Sequence, residues 1–299
     1  MRAITFIGLG EAAQAFCRDE RRKAECVGYD SKIDIIDQSV AKLAEFKLCA
    51  VTPLNIEQEA YSQATNIFSL VTANQALKVA SIAAQNLQPG CYFFDFNSVA
   101  PSTKKEAEQL ITSAGGHYID VAVMAPVYPR QLSVPLLVSG PNASVGLEIL
   151  AAFGFDNMKH LAGPVGTSSG VKMLRSVMIK GVEALCAECI LAASSAGLLN
   201  EVLDALGDDF PNKANYHFDR MLIHGLRRAE EMREVVKTLS DVGTGSRMTL
   251  ATVQWHDELG CLGLSTPPIT LGEKLHAIKT AMILHRDFSE VETRNELNN

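Results

Sequence analysis

Arg2-Ala3-Ile4-Thr5-Phe6-Ile7 opens the chain, Gly8-Leu9-Gly10-Glu11-Ala12-Ala13 follows it, and Glu25-Cys26-Val27-Gly28-Tyr29-Asp30 comes a little later. The first six residues read as a buried strand. The glycine-containing six read as a turn into a helix, and the last six as a second strand ending in an acid. A GxGxxA is common by chance. Set between a strand and a helix, with an acid about 20 residues on, it predicts a dinucleotide site. Gly8 permits the tight turn, and Gly10 lets backbone approach a pyrophosphate closely. Leu9, Glu11 and Ala12 complete a turn whose helix offers unpaired N–H groups and a positive dipole end. Ala13 allows close helix–strand packing. Asp30 is placed to accept hydrogen bonds from ribose hydroxyls and to repel a 2′-phosphate, which favours NAD. Lys32, two residues on, could offset that repulsion, so NADP stays possible. The alternative is a similar turn that binds another nucleotide or nothing.

Outward from this turn, the 299 residues suffice for two domains with sizeable cores. Hydrophobic residues make up 47% and charged residues 20%, ordinary for a globular protein. The net charge of −7 argues against nucleic acid or an anionic membrane as the main partner. No apolar run is long enough to span a bilayer. The first apolar segment is short and runs straight into the glycine turn, unlike a signal peptide. The expected location is the cytoplasm. An odd number of scattered cysteines, seven, speaks against a disulfide framework. Cys186 and Cys189 form a CxxC inside a helical pattern, where burial as small apolar residues is the simpler expectation. The histidines show no metal-ligand spacing, and no metal site is expected.

Strand candidates are Arg2–Ile7, Glu25–Asp30, Lys47–Val51, Asn66–Val71, Tyr92–Asp95, His117–Val121 and Pro135–Ser139, with an eighth at Asn157–Leu161. Helical stretches such as Gln75–Asn86, Ser102–Ser113 and Ala143–Phe153 lie between them. The alternation predicts an α/β domain with a Rossmann-type, doubly wound, mostly parallel sheet. Near Ala162-Gly163-Pro164 the character changes. Thr167 to about Leu198 reads as one long interdomain helix, followed by helices over Tyr216–Val242 (with a possible break), Arg247–Leu259 and Leu271–Leu284. A polar tail at Glu290–Asn299 is expected to fray. The domain reading is therefore residues 1–163 for the nucleotide domain and residues 164–299 for an all-α C-terminal domain.

Gly163-Pro164-Val165-Gly166-Thr167-Ser168-Ser169-Gly170-Val171-Lys172 leads into the long helix. Lys172 shares a side of it with Ser176 and, with some drift, Lys180. Partial burial or neighbouring cations would lower the lysine pKa and suit it to general-base work. From spacing alone a solvated surface lysine is the commoner outcome.

The GLG turn, Asp95-Phe96-Asn97-Ser98-Val99-Ala100-Pro101 and the glycine-rich lead into Lys172 occur in the order found in the β-hydroxyacid dehydrogenases, the 6-phosphogluconate dehydrogenase-like superfamily, which the chain resembles. The helical half resembles a less characterised branch at Lys172-Met173-Leu174-Arg175-Ser176, Lys180-Gly181 and His224-Gly225-Leu226-Arg227-Arg228-Ala229-Glu230-Glu231-Met232. The resemblance implies that Lys172 is the catalytic acid/base, that Ser98 lies near the nicotinamide ribose, and that Val71, Thr72 and Ala73 line the cofactor cleft. It also implies a homodimer. The chain departs from the family in its substrate loop, Asp120-Val121-Ala122-Val123-Met124-Ala125-Pro126, where Asp-Ala-Pro-Val-Ser-Gly-Gly is usual. Met124 cannot donate a serine hydrogen bond, Ala125 replaces a glycine, and Pro126 has no N–H. The usual asparagine four residues after the lysine is Ser176.

Arg227 and Arg228 could replace the lost donors, since arginine holds carboxylates bidentately. A salt-bridged surface explains them as well. Arg130, after Tyr128-Pro129, is a further candidate contact. The expected function is an NAD(P)-dependent oxidoreductase moving a hydride to or from a small polar hydroxy acid, with Ser176 bonding the substrate oxygen. The alternatives are an imine reductase and a cofactor-binding sensor or scaffold without turnover.

Overall fold

The computed structural model describes residues 3–296, with side chains to residue 283. Arg2 of the expected first strand and residues 297–299 of the expected fraying tail lie outside the described residues. The chain divides into two compact units, Met1–Leu174 and Arg175–Asn299.

In the first unit the elements run β1 (Ile4–Ile7), α1 (Glu11–Cys17), β2 (Cys26–Tyr29), α2 (Ile36–Leu48), β3 (Thr52–Pro53), α3 (Glu57–Ser62), β4 (Asn66–Ser69), α4 (Ala73–Asn86) and β5 (Tyr92–Asp95). Then come α5 (Pro101–Ser113), β6 (His117–Val123), β7 (Leu136–Ser139), α6 (Ala143–Phe153) and β8 (Met158–His160). The eight strands form one sheet in the order β3-β2-β1-β4-β5-β6-β7-β8. Every neighbouring pair is parallel except β6–β7. Chain order reverses between β1 and β4, and such a switch point opens a crevice at the carboxyl ends of the strands.

Each face of the sheet carries its own apolar core, because buried parallel strands alternate side chains between two helix layers. Phe6, Phe68, Phe94 and Ile119 pack with Ala13 and Phe16 of α1, Phe46 of α2 and Leu150 and Phe153 of α6. Ile67, Phe93 and Tyr118 pack on the other face with Tyr61 of α3, Val79 and Ala80 of α4 and Ile111 of α5.

The expected strand at Lys47–Val51 is corrected. Lys47 and Leu48 finish α2, Ala50 turns with φ +48°, and the strand is the short Thr52–Pro53. Lys42, Phe46 and Cys49 are buried at helical spacing, so tertiary packing selects a helix end there.

Helix α7 spans Thr167–Ala196 as one run of 30 residues. The second unit adds α8 (Leu199–Leu206), α9 (Phe210–Asp241), α10 (Arg247–Cys261) and α11 (Leu271–Glu296). Its core joins Ala184, Ala187 and Ile190 of α7 with Phe218, Met221 and Leu222 of α9, Leu259 of α10 and Leu275 and Ile278 of α11. Helix α9 is unbroken. At its middle, a Cβ on Gly225 would stand 2.5 Å from the carbonyl oxygen of His256 and 2.7 Å from Cα of Gly260. The two glycines let α9 and α10 touch backbone to backbone. Cys186 is buried in this unit but Cys189 is exposed, so only half of that pair serves as packing. Among the described residues no helix is long and apolar enough to cross a membrane.

Candidate functional site

The glycine turn sits where β1 ends. Gly8 has φ +85°, and a Cβ there would lie 2.6 Å from the carbonyl oxygen of Leu70 and 3.0 Å from Cγ1 of Val71. Only glycine fits, and the turn is pressed against the loop that follows β4. Gly10 has extended backbone (φ −81°, ψ −170°) and N-caps α1 without a side chain to occupy the first-turn amides. A Cβ on it would meet nothing within 4 Å. Open space therefore faces the positive end of α1, whose first turn carries Glu11 and Ala12. The residues present fit the pyrophosphate of a dinucleotide.

Asp30 closes the far side of the turn. Its Oδ2 accepts from the Leu9 N–H at 2.8 Å and its Oδ1 from the Lys32 N–H at 3.0 Å. Lys32 thus serves Asp30 through its backbone. The nearby cation is Lys42, buried on α2, whose Nζ is 3.7 Å from Asp30 Oδ2, 2.5 Å from Glu45 Oε2 and 3.1 Å from the Leu9 carbonyl oxygen to which it donates. Sequence reasoning missed Lys42, because nothing local ties it to residue 30.

Strand register lines up Ile7, Ser69, Asp95, Asp120 and Ser139 in one row across β1, β4, β5, β6 and β7. The last four are polar and fully buried. Asp95 Oδ1 accepts from the Asn97 N–H at 2.8 Å, and its Oδ2 from the Tyr118 hydroxyl at 2.5 Å. Burial, with Asp95 and Asp120 close by, holds the Tyr118 phenol well above its ordinary pKa. Lys104, wholly buried on α5, places Nζ 2.9 Å from Asp95 Oδ1 and 3.4 Å from Asp120 Oδ1, and donates to the Asp95 carbonyl oxygen at 2.6 Å.

Through Asn97 this row reaches Val71, another expected cofactor residue. Asn97 Oδ1 accepts from the Val71 N–H at 2.7 Å, and Asn97 Nδ2 donates to Ser69 Oγ at 3.0 Å. Thr72 caps α4, its hydroxyl 2.6 Å from Asn74 Oδ1, and Ala73 begins that helix. Ser98 follows Asn97, half-buried in the loop between β5 and α5.

The row also holds the start of α7. Asp120 Oδ2 accepts from the Ser139 hydroxyl (3.1 Å), the Gly166 N–H (3.1 Å) and the Ser169 N–H (3.2 Å). Ser139 Oγ accepts from the Ser168 N–H at 2.9 Å. Lys172, half-buried, comes three residues after Ser169 and still belongs to the first compact unit. Ser176, one turn further on, is buried. In the loop after β6, the Met124 N–H donates to the Pro135 carbonyl oxygen at 2.9 Å, and half-buried Ala125 packs on the core. Neither its side chain nor that N–H gives Met124 a donor for an anion. Arg130 is exposed, and its carbonyl oxygen accepts from Arg21 at 3.5 Å.

Arg227 and Arg228 lie on α9 in the second unit, with partners inside that unit. Arg228 is buried and ion-paired with Glu183 of α7. Arg227 is exposed, 3.4 Å from Glu231. Lys180 is buried, its Nζ 2.6 Å from Glu231, and burial lowers its pKa against the pull of that carboxylate. His256 Nε2 lies 3.6 Å from Glu183. Burial and the neighbouring Arg228 and Lys180 cations push its pKa down to about 3.

Residues 3–145 match the family described as the NAD binding domain of 6-phosphogluconate dehydrogenase, and residues 193–259 match a domain of unknown function, DUF1932. A conserved hypothetical protein from Sinorhizobium meliloti is similar at 32% identity over 94% of this chain and 97% of its own, with a TM-score of 0.67. A conserved protein of unknown function, MTH1747, described as structurally similar to 3-hydroxyacid dehydrogenases, is 30% identical over 86% of this chain and 96% of its own, with a TM-score of 0.62. The 3-hydroxyisobutyrate dehydrogenase of Mycobacterium tuberculosis, solved with L-serine, shares the fold at 14% identity, covering 94% of this chain and 99% of its own, with a TM-score of 0.68. The chain therefore belongs to the 6-phosphogluconate dehydrogenase-like family, in the branch that joins the NAD-binding domain to a DUF1932 domain.

Proposed function

We propose that this protein is an NAD(P)-dependent oxidoreductase acting on the CH–OH group of a small polar hydroxy acid, or on its keto form. One observation carries the reading: the amides that start the Lys172 helix dock on the same strand-end row from which the glycine turn leaves β1. A bound nicotinamide supplies the hydride acceptor or donor. The chain supplies the rest. Lys172 Nζ takes the hydroxyl proton in oxidation and returns it in reduction, while Ser176 bonds the substrate oxygen. The Met124 loop supports a substrate held otherwise than by a serine hydroxyl and backbone amides. Holding the reacting carbons in contact, with a matched acid/base, accounts for the rate.

NAD is the expected cofactor. Asp30 stands buried beside the turn with Glu45 close by, and Lys42 is already committed to both carboxylates. NADH should bind at least 10-fold more tightly than NADPH in a fluorescence titration, and equal affinities would reject the preference.

The working unit is a homodimer in this reading. Val171, Leu174, Met178, Val182 and Leu185 form an exposed apolar stripe along α7. Light scattering should give the mass of two chains, and a single-chain mass would reject the dimer.

The main test is Lys172→Ala against a panel of small hydroxy acids. NADH affinity should stay within about threefold, and turnover should fall by roughly 10²–10⁴-fold, the range for losing a general acid/base. Unchanged turnover would remove the lysine from the mechanism. A wild-type protein that binds NADH yet turns over none of the panel would favour a sensor.

A further inference from the structure

We infer that Asp120 is the positioning residue for the Lys172 amine, and that the buried Asp95–Lys104–Asp120 cluster is the base on which it works. This rests on the reading of Lys172 as the acid/base, but it is tested without turnover.

Two carboxylates and one ammonium are sealed at the strand-end row, so the cluster carries one excess negative charge. A buried charge must be compensated locally. On the β5 side the Tyr118 hydroxyl and the Asn97 N–H serve Asp95. On the β6 side Asp120 has the Ser139 hydroxyl and two amides that open α7, Gly166 and Ser169. A helix start also carries partial positive charge. Asp120 thus pins the first turn of α7 through charge as well as geometry, and Ser139 pins a third amide, that of Ser168.

Lys172 lies three residues past Ser169, about 4.5 Å along the helix axis. A slip of α7 by one residue would rotate that side chain by about 100°. Catalytic groups need placement to about 0.5 Å, and a helix anchored at its first turn by a fully buried carboxylate meets that need. The cluster reaches the cofactor side as well. Asn97, whose N–H bonds Asp95, also holds the Val71 amide. The loop that abuts Gly8 and the helix that carries Lys172 are therefore referenced to the same three buried charges.

The test uses the full chain with Asp120→Asn, which keeps an acceptor but loses the charge, and Asp120→Ala, which loses both. The probes are hydrogen exchange of the 166–173 amides and the pH midpoint of Lys172 acylation by an amine-reactive ester, read by mass spectrometry. Asp120→Ala should speed exchange of those amides at least 10-fold while β1 and β2 amides stay within threefold. In both variants the Lys172 midpoint should fall by at least 0.5 pH unit, because a negative charge behind its helix is gone. If either variant is insoluble, Ser139→Ala carries the exchange readout with loss of one neutral hydroxyl, and at least threefold faster exchange at Ser168 is expected. Exchange that quickens with an unmoved Lys172 midpoint leaves Asp120 merely structural and overturns the proposal. So does exchange unchanged in every soluble variant. Lys172→Ala bears on catalysis alone, so failure of the catalytic reading shows separately.

Discussion

At the scale of the residue, the two glycines of the first turn do different work. Gly8 is required by the fold: its φ is positive, and a Cβ would collide with the Leu70 carbonyl oxygen. Gly10 is not required by the fold: its backbone suits any residue, and the space a Cβ would enter is open, so in the proposed function its role is toward the ligand. Gly8→Ala should therefore lower Tm by several degrees, about 1–3 kcal/mol of strain, and also weaken NADH binding. Gly10→Ala should leave Tm within about 2 °C and weaken NADH binding at least 10-fold, since the added methyl occupies the approach of the pyrophosphate. Thermal melts beside NADH titrations separate the two, and a Gly10→Ala protein with native affinity would show that the open space is not the pyrophosphate cradle. Both glycines were legible in sequence because the spacing of the turn is local and mechanical, although the Leu70 oxygen that Gly8 abuts is not local. Lys42, Lys104 and Asn97 were not. Each acts on a group that lies far away in sequence or whose role depends on strand register, and a lysine on an amphipathic helix reads as a solvated one until the sheet is assembled.

At the scale of the element, α9 shows how a sequence rule can point the wrong way. Glycine inside a helix costs about 1 kcal/mol against alanine, and the stretch Tyr216–Val242, with a possible break expected in it, contains Gly225. The helix runs through it because Gly225 and Gly260 let α9 and α10 meet at backbone distance. Contacts of that kind join residues far apart in sequence, and periodicity carries no trace of them. Gly225→Ala should accordingly destabilise the helical unit by about 1–3 kcal/mol despite better helix propensity, since the neighbour that must give way is backbone rather than a flexible side chain. Trp255, the chain's single tryptophan, sits on α10 with its indole N–H donating to Glu188 at 3.0 Å. Its emission during urea unfolding reads that unit. A variant as stable as wild type would mean that the helices can separate without loss.

At the scale of the whole molecule, the boundary and the acid response follow from where polar groups are buried. The sequence changes character at residues 163–164, while the first compact unit runs to Leu174. The reason is that Gly166, Ser168 and Ser169 are hydrogen-bonded to Asp120 and Ser139 of the sheet, and composition does not record such bonds. The second unit buries Lys180, Glu183, Arg228 and His256. His256 has a folded pKa of about 3 against an ordinary 6.5. Below pH 6.5 the unfolded chain takes up a proton that the folded unit refuses until about pH 3. Unfolding is thus favoured progressively as pH falls through that window, by a few kcal/mol at its lower end, and stability returns as pH rises. His217 shifts in the same direction, by burial, and adds to the slope. His256→Asn removes the larger of the two titrations. Followed by Trp255 emission, wild-type Tm should drop by several degrees between pH 7 and pH 5, and the His256→Asn protein should lose less than half as much. An equal drop in both would place the acid sensitivity outside His256.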